Sequence, residues 1–483
     1  MVPENTARTG VFTALRVRDY RIYWSTGLVS NIGSAMQGVA LDWFVFDLTH
    51  SGTAVGWAAG LQFAPVLLFG LWGGVLADRY DRRTLLLWAQ SLYAVQAVLL
   101  TVAVLTGHAP LWSVYLLSFG LGCVFTVENP ARLSFVTELV GLSLIPNAAG
   151  LNILSLNAAR LIGPAIAGVL IGLIGPGGVF AVNAVSFVAV TLGLLTIRPR
   201  PAPPPGTFGA GPSRGPGLVS GQGTVKRARW SGAGAEGLRY VAARPELAGV
   251  LALFGLVATF AVNFPTTLTL FAGRVFDVGS GGLGFMSTAL SVGTVAGTLA
   301  ATRRAAPRVR TVVVGAVLFG ASEAVAALMP SYTTFLILLL PTGFALMTLN
   351  TAVSAFVQSE VTDAMRGRVM AVYTVVSMGG APLGGPAIGW VSQHAGVRWG
   401  LASGATVAVL SALAVALLLS RRRGIAAPGP ASRAWVAAGP AVASLRARTR
   451  TASPPREPAP SLSSAHADPC VPRPPSTGGN PHD

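Results

Sequence analysis

The sequence predicts an all-α polytopic membrane protein with twelve transmembrane helices, arranged as two six-helix bundles that are related by a parallel repeat. Three observations carry this prediction: a low content of charged residues, twelve apolar runs of membrane-spanning length, and two short sequence echoes half a chain apart. Of the 483 residues, 52% are hydrophobic and only 11% are charged, whereas soluble domains carry about 25% charged residues. This deficit excludes a soluble protein of this size.

Each apolar run is long enough to cross the hydrocarbon core of a bilayer, which takes about 20 helical residues. A Gly-Pro-Gly-Gly turn at 175–178 separates the fifth run from the sixth. The first run is too long for the apolar region of a signal peptide and has no small-residue cleavage site after it, so we interpret it as a span. The predicted spans are 22–47, 53–77, 84–106, 111–130, 146–174, 177–197, 247–272, 281–302, 311–329, 332–357, 369–394 and 398–420.

The positive residues predict the orientation. With the N-terminus in the cytoplasm, all but three of the 34 Lys and Arg residues fall on cytoplasmic segments, the exceptions being Arg274, Arg398 and the intramembrane Arg160. That asymmetry follows the positive-inside rule. The net charge of +17 is spread between apolar runs, so we expect membrane lipids and no nucleic acid as partners. A composition rich in Arg, Ala, Gly and Pro is typical of a GC-rich bacterial genome, so we expect the protein in the bacterial plasma (inner) membrane. The charge asymmetry places both termini in the cytoplasm. We expect a monomer.

Composition divides the chain into four regions. We expect an N-terminal six-helix bundle at 1–198, a cytoplasmic linker at 199–245, a C-terminal six-helix bundle at 246–420 and a disordered cytoplasmic tail at 421–483. The linker begins with a Pro/Gly-rich segment, for which we expect disorder. Its second part, 233–244, predicts a short surface helix before Pro245.

Two echoes indicate that the second bundle repeats the first. The tetrapeptide Gly-Pro-Ala-Ile at 163–166 recurs at 385–388, and the segment 129–138 has a counterpart at 350–360. The offsets are 222 and 221 residues. Since each half holds an even number of spans, both repeats enter the membrane in the same direction, as in certain secondary transporters.

The loop after the second span reads Gly-Val-Leu-Ala-Asp-Arg-Tyr-Asp-Arg-Arg over 74–83. Arginines form bidentate pairs with carboxylates, and several such pairs in a short loop favour a latch between helices at the cytoplasmic face. The alternative is an ordinary positive-inside loop. The residues of this candidate gate are Gly74, Asp78, Arg79, Arg82 and Arg83.

The fifth span combines an intramembrane arginine, a Gly-Pro pair and a row of glycines. Gly-Pro removes a backbone hydrogen bond and favours a bend, while glycines on one face allow another backbone to approach. For each glycine alone, simple helix packing is the competing interpretation. For the arginine we favour a structural ion pair over substrate binding. The residues of this motif are Arg160, Gly163, Pro164 and Gly168.

These motifs resemble the major facilitator superfamily. The loop at 74–83 is similar to that superfamily's signature Gly-x-Leu-Ala-Asp-Arg-x-Gly-Arg-Arg, with Asp81 in place of glycine, and 163–168 is similar to the motif that marks its exporters, with Ala159 and Ala167 in place of glycines. The segments 129–132 and 357–369 resemble loops of the branch that includes macrolide efflux pumps and the enterobactin exporter. The resemblance, over about 20–420, implies a major facilitator fold in which Asp78 caps a helix of the second half near the eleventh span.

Ionisable groups inside spans are functional candidates because burying them is costly. An apolar environment favours the uncharged form of a carboxyl group, which allows it to carry a proton near neutral pH. Asp42 is the first candidate for proton coupling and Glu323 the second; the alternatives are solvation at the outer interface for Asp42 and a peripheral position for Glu323. For Glu128 we favour a structural ion pair, for example with an arginine of a cytoplasmic loop, over a role in transport.

Amides within the spans are candidates to line a central cavity, although a helix–helix hydrogen bond is the commoner role of such a residue. The candidates are Asn31, Gln37, Asn157 and Asn263.

The sequence argues against an enzyme and against any cofactor or metal. Lys226 is the only lysine, so no P-loop is present, and the five histidines and two cysteines do not cluster. The predicted function is export of a hydrophobic or amphipathic small molecule, such as a drug, antibiotic, siderophore or natural product, by proton antiport. Proton-coupled uptake is the alternative, and a non-transporting membrane protein or a membrane-embedded enzyme is less favoured.

Overall fold

The computed structural model describes residues 12–197, 230–301 and 308–425, and within these ranges the chain forms fourteen α-helices and no strand. Short 3₁₀ helices precede α1 and α5, and a π-helical turn at Phe271–Val275 follows α8. The helices are α1 Arg18–Thr49, α2 Gly52–Arg79, α3 Arg82–Leu105, α4 Leu111–Val140, α5 Ile145–Thr196, α6 Trp230–Ala242, α7 Pro245–Phe260, α8 Phe264–Leu270, α9 Gly279–Ala301, α10 Val309–Ala327, α11 Tyr332–Glu360, α12 Asp363–Met378, α13 Ala381–His394 and α14 Val397–Ile425.

The described helices account for twelve membrane crossings. Nine helical segments are long and apolar enough to span a bilayer by length and composition. One of these, α5, makes two crossings, and the more polar α1 together with the broken pair α12–α13 brings the number to twelve. Successive crossings alternate in direction. We call the end at which α1 begins the N-terminal face and the other end the opposite face.

The helix α5 reverses at a single residue. Gly175 has φ 72° and ψ 171°, a backbone conformation that side chains disfavour. The following Pro176 starts the sixth crossing, as the Gly-Pro-Gly-Gly turn predicted. At Pro164, by contrast, the backbone keeps helical angles, so the bend expected there is not a break in the helix.

The seventh and eleventh crossings, predicted as continuous, are each broken near their middle. The seventh consists of α7 and α8, separated at 261–263, where Pro265 restarts the helix and the Asn263 amide donates to the Thr259 carbonyl at 2.7 Å. The eleventh consists of α12 and α13, separated at Gly379 and Gly380. Hydropathy does not show such breaks, because the residues around them remain apolar.

The short helix predicted at 233–244 is present as α6, outside the apolar crossings. It packs along α12. The Glu236 carboxylate pairs with the Arg368 guanidinium at 2.6 Å, and the Thr362 N–H donates to the Tyr240 hydroxyl at 3.4 Å. A hydrogen bond with the Thr362 side chain and, to a smaller extent, this backbone bond lower the pKa of Tyr240, because both stabilise the phenolate. The Pro/Gly-rich part of the linker and the tail beyond 425 lie outside the described residues.

Candidate functional site

The two halves of the chain meet mainly toward the opposite face. There α2 packs on α13, and α5 packs on α9. Gly56 and Gly385 approach so closely that a side chain on either would overlap the other's backbone. The Gln393 side chain accepts a hydrogen bond from the Gly52 N–H at 2.8 Å, and Arg274 donates to the His50 carbonyl. Contacts of this kind close the molecule at the opposite face.

A cavity of about 310 Å³ lies within the first half and extends toward the N-terminal face. Helices α1 to α5 all contribute to its wall, which mixes amide groups with aromatic rings. Residues of the second half are not among its lining. The lining side chains that carry polar groups are Tyr20, Tyr23, Trp24, Ser30, Asn31, Ser34, Gln37, Gln62, Gln90, Tyr93, Ser118, Glu128, Arg132, Asn152, Ser155 and Asn183.

A buried amide network closes the deep end of this cavity. The Gln37 amide donates to Gln96 Oε1 at 3.0 Å and accepts from the Asn183 amide at 2.7 Å. Ser186 extends the network by donating to Asn183 Oδ1 at 2.8 Å. Nearer the N-terminal face, Asn31 donates to the Ser155 hydroxyl at 3.0 Å. These bonds join α1 to α3 and α5, so the amides act both as cavity wall and as links between helices.

An ion pair stands in the cavity wall on α4. Glu128 and Arg132 lie one helical turn apart, with Arg132 Nε 3.8 Å from Glu128 Oε1. The structural ion pair expected for Glu128 is thus present, but its arginine lies on the same helix and not on a separate loop, and both side chains line the cavity. Sequence reasoning missed this pair because Arg132 counted as a cytoplasmic charge at a span end.

The two candidates for proton coupling lie away from the cavity wall. Asp42 is half-buried on α1, one residue beyond the lining residue Leu41. Glu323 is buried in α10, and its Oε2 has no hydrogen-bond partner within the described residues. The helix α10 packs against α11 and, at Gly320, against residues 405–409 of α14, so the Glu323 side chain is buried within the second half of the chain. The two carboxyl groups lie in different halves of the chain, Asp42 on α1 and Glu323 on α10.

The candidate gate lies where α2 ends and α3 begins. The structure does not describe the side chains of Gly74 and Asp78, so the expected capping contact of Asp78 lies outside the described residues. Arg82 pairs with Glu138 of α4, and Arg83 donates to the Leu194 carbonyl of α5 at 3.0 Å. The side chain of Arg79 is exposed. The described arginine contacts of this loop thus stay within the first half.

Asp81 has a role that sequence reasoning missed. Its carboxylate accepts hydrogen bonds from the Thr84 N–H and the Thr84 hydroxyl, both at 2.8 Å. It is therefore the N-cap of α3, a position that favours Asp. The departure from the superfamily's glycine replaces a flexible turn residue with a helix cap. The spacing Asp-x-x-Thr before an apolar run was the available signal.

The residues of the fifth-span motif face in different directions. Gly163 packs against Ala35 of α1, and Gly168 packs against Gly284 of α9 in the other half. The carbonyl of Pro164 also lies against Gly284. Arg160 is exposed and has no ion-pair or hydrogen-bond partner within the described chain, so the structural ion pair we favoured for it is not formed there.

The four cavity candidates separate into two groups. Asn31 and Gln37 line the cavity. Asn157 is not among its lining residues, and Asn263 donates to a backbone carbonyl at the break between α7 and α8. Amide side chains look alike in sequence, and only the direction of each helix face separates wall residues from packing residues.

Comparisons with known proteins agree with this architecture. A sequence model of the family described as transmembrane secretion effector matches residues 9–207 and 219–444. The enterobactin exporter of Escherichia coli is 24% identical over 409 residues, which cover 84% of this chain and 92% of that protein. The staphyloferrin A transporter of Staphylococcus aureus is 27% identical over 174 residues, which cover 36% of this chain and 44% of that protein.

Solved transporter structures share the fold. A bacterial homologue of the human lysosomal transporter Spinster, in an inward-facing and unoccupied conformation, has a TM-score of 0.65 and 17% identity over 87% of this chain and 98% of that one. A nucleoside transporter has a TM-score of 0.63 and 13% identity over 83% of this chain and 99% of that one. The resemblance inferred from the sequence motifs is confirmed. The chain is a membrane transporter of the major facilitator superfamily, and it belongs to the transmembrane secretion effector family.

Proposed function

We propose that the protein exports a hydrophobic or amphipathic small molecule from the cytoplasm in exchange for protons. The observation that carries this proposal is the position of the contacts between the halves. They gather at the opposite face, while the cavity extends toward the N-terminal face. With the N-terminus in the cytoplasm, as the positive residues predict, this is the state that takes up a molecule from the cytoplasm.

Alternating access then requires the two halves to rock against each other, so that the contacts at the opposite face separate. The contacts between α2 and α13, and between α5 and α9, suit this motion because the residues of closest approach are glycines, which have no side chains to interlock. The likeness to the enterobactin exporter over most of the chain favours export over uptake. We further propose two bundles at 1–198 and 246–420, a location in the bacterial plasma membrane, a monomeric state and no catalytic activity.

Asp42 is the proposed proton carrier. It lies on α1, just beyond the cavity residues Gly38 and Leu41, so a rocking motion that opens the opposite face would expose it to the outside. Glu323 is the second candidate, because its buried Oε2 has no hydrogen-bond partner in the described chain.

Flux in inverted membrane vesicles tests the proposal. Two labelled probes of opposite charge serve, enterobactin and the amphipathic cation ethidium. We expect an inside-acid gradient to drive accumulation of at least one probe, because the vesicle lumen corresponds to the cell exterior. Vesicles that lack the transporter are the control. In them, addition of the probe should not dissipate the proton gradient. Accumulation only in right-side-out vesicles would instead establish uptake.

The coupling assignment is tested by Asp42→Asn, with Asp47→Asn as the matched control on the same helix. Asp47 is exposed near the end of α1, so its replacement should leave flux unchanged. We expect Asp42→Asn to remove acceleration by the gradient while exchange of probe without a gradient persists. If gradient-driven flux persists in Asp42→Asn, Asp42 is not the proton carrier and Glu323 becomes the candidate. Glu323→Gln tests that second candidate in the same vesicles.

A further inference from the structure

The ion pair on α4 has no part in the coupling scheme above. Glu128 is buried, and the Arg132 side chain is only 19% exposed. Taking two charges out of water is costly, and the cost is recovered only with good geometry and additional hydrogen bonds. A gap of 3.8 Å between Arg132 Nε and Glu128 Oε1 is too long for a hydrogen bond. The pair therefore stands incompletely satisfied in the wall of an open cavity.

The member of the pair that lacks a hydrogen-bond partner in the described chain is Arg132. Arg132 Nε is buried and has no hydrogen-bond partner within the described residues. Glu128, in contrast, has the Tyr93 side chain beside it, and a phenol is able to donate to a carboxylate. Arginine has no uncharged form in proteins. The pair thus offers a positively charged donor to whatever enters the cavity.

Arg160 adds a second cation at the cleft between the halves. On α5, Gly163 contacts α1 while Pro164 contacts α9. Each residue turns a helix by about 100°, which directs Arg160 between these two contacts. Its side chain is exposed and has no ion-pair partner in the described chain. Leu156, which lies one turn before it on the same side, lines the cavity, whereas Arg160 is not among the lining residues. Arg160 is therefore a cation beside the cavity and not in its wall.

The walls around the pair are aromatic. Tyr23, Trp24 and Phe125 line the cavity together with Arg132. A volume of about 310 Å³ lies within the range of sites for small organic ligands. Flat rings stack on aromatic side chains, and an arginine fork matches a planar carboxylate.

We propose that this cavity binds an organic anion that carries an aromatic ring. Arg132 receives the carboxylate or an equivalent oxyanion, and Arg160 supplies a second positive charge at the cleft. The proposal rests on the proposed export function, since it names the substrate class for the same transporter. Anion recognition at Arg132 is separate from proton coupling at Asp42, because the two residues lie on different helices and Asp42 is not part of the cavity wall.

Calorimetric binding to the purified full-length protein in lipid nanodiscs tests the charge preference directly. The probes are 2-naphthoate, its neutral isostere 2-naphthamide and the cation 2-naphthylmethylammonium. We expect 2-naphthoate to bind most tightly. Arg132→Gln should weaken it by about tenfold or more, since a hydrogen bond to a charged group is lost. Glu128→Gln should strengthen it, because a competing negative charge is removed.

Two further variants control for folding. Arg132→Gln leaves a buried carboxylate without its partner, which destabilises, whereas the double variant Glu128→Gln with Arg132→Gln keeps the site neutral and should fold yet bind 2-naphthoate no better than 2-naphthamide. Arg132→Lys keeps the charge and should retain part of the affinity. Tighter binding of the ammonium probe, unchanged 2-naphthoate affinity in the double variant, or no 2-naphthoate binding by the wild type overturns the proposal.

Binding in nanodiscs involves no gradient, so the two proposals fail independently. Charge-selective binding without vesicle flux would preserve the anion site and contradict export. Gradient-driven flux without charge selectivity would preserve export and contradict the anion site.

Discussion

Gly168 and Gly172 lie one turn apart on α5, but only Gly168 touches the other half of the chain. A Cβ on Gly168 would lie 2.9 Å from the Ser280 carbonyl oxygen and 3.1 Å from Gly284 Cα, whereas a Cβ on Gly172 would meet nothing within 4 Å. Glycines one turn apart on α5 are therefore not equivalent. The interpretation as simple helix packing fits Gly163, which contacts α1 of its own half.

This difference predicts opposite outcomes for two alanine variants. Gly168→Ala should destabilise the protein by about 1–3 kcal/mol, as overpacking does, because the backbones of α5 and α9 must separate. Gly172→Ala should be neutral or stabilising by up to about 1 kcal/mol, because alanine favours a helix. Thermal unfolding in detergent measures both, and equal shifts in the two variants would contradict the assigned contact.

At the scale of an element, α6 is a short helix outside the crossings that is docked on the start of the eleventh crossing. Besides the Glu236–Arg368 pair, Arg244 donates to the Glu360 carbonyl at 2.7 Å and lies over the Tyr240 ring at 4.2 Å. Arg244, just after α6, thus contacts the end of α11, while Glu236 of α6 itself contacts α12. Movement of α12 during transport must therefore carry α6 along or release it.

Arg368→Gln should loosen α6. Exposed ion pairs contribute about 0.2–1 kcal/mol, so we expect amide hydrogen exchange in residues 230–242 to become about two- to threefold faster. Arg366→Gln is the matched control, because Arg366 pairs with Asp363 on its own helix at 2.8 Å. Exchange that is as fast in the Arg366 variant would show that the Glu236 contact does not hold α6.

The broken crossings are a second feature at this scale. The break between α12 and α13 lies against the end of α7, where Gly380 and Gly384 pack on Thr259 and the Asn263 amide. Broken helices at membrane depth are tolerated where their backbone groups find partners within the protein. Asn263, expected in the cavity wall, instead donates to the Thr259 carbonyl that the break leaves open. That role is structural.

For the whole molecule, closure at the opposite face depends on backbone-to-backbone contact between the halves. Gly56 of α2 and Gly385 of α13 are in such contact, and side chains cannot be inserted without moving one half. Few polar bonds reinforce the interface. Its stability is therefore adjustable by single small substitutions.

Gly56→Ala should shift the population toward molecules that are open at the opposite face, with a cost to the closed state of about 1–3 kcal/mol. Spin labels at His108→Cys and Ser331→Cys, two exposed loop positions at that face, report the change when Cys123 and Cys470 are replaced. We expect a longer component in the distance distribution. Gly70→Ala, on the same helix with nothing within 4 Å, should leave the distribution unchanged.

The sequence by itself determined the class, the twelve crossings, the superfamily and the reversal at Gly175, because these follow from local properties such as hydropathy, turn chemistry and short motifs. It also predicted α6, because Leu238 and Val241 stand among polar residues before Pro245. Only the tertiary structure decided that Asn31 and Gln37 face the cavity while Asn157 and Asn263 do not, that Arg160 lacks a partner in the described chain, and that Glu128 and Arg132 share one wall. The physical reason is that the hydrophobicity of an apolar span does not show which of its faces points into the protein. In a membrane, both the lipid-facing and the protein-facing sides of a helix are hydrophobic, so the inward face is set by contacts between helices that are distant in sequence.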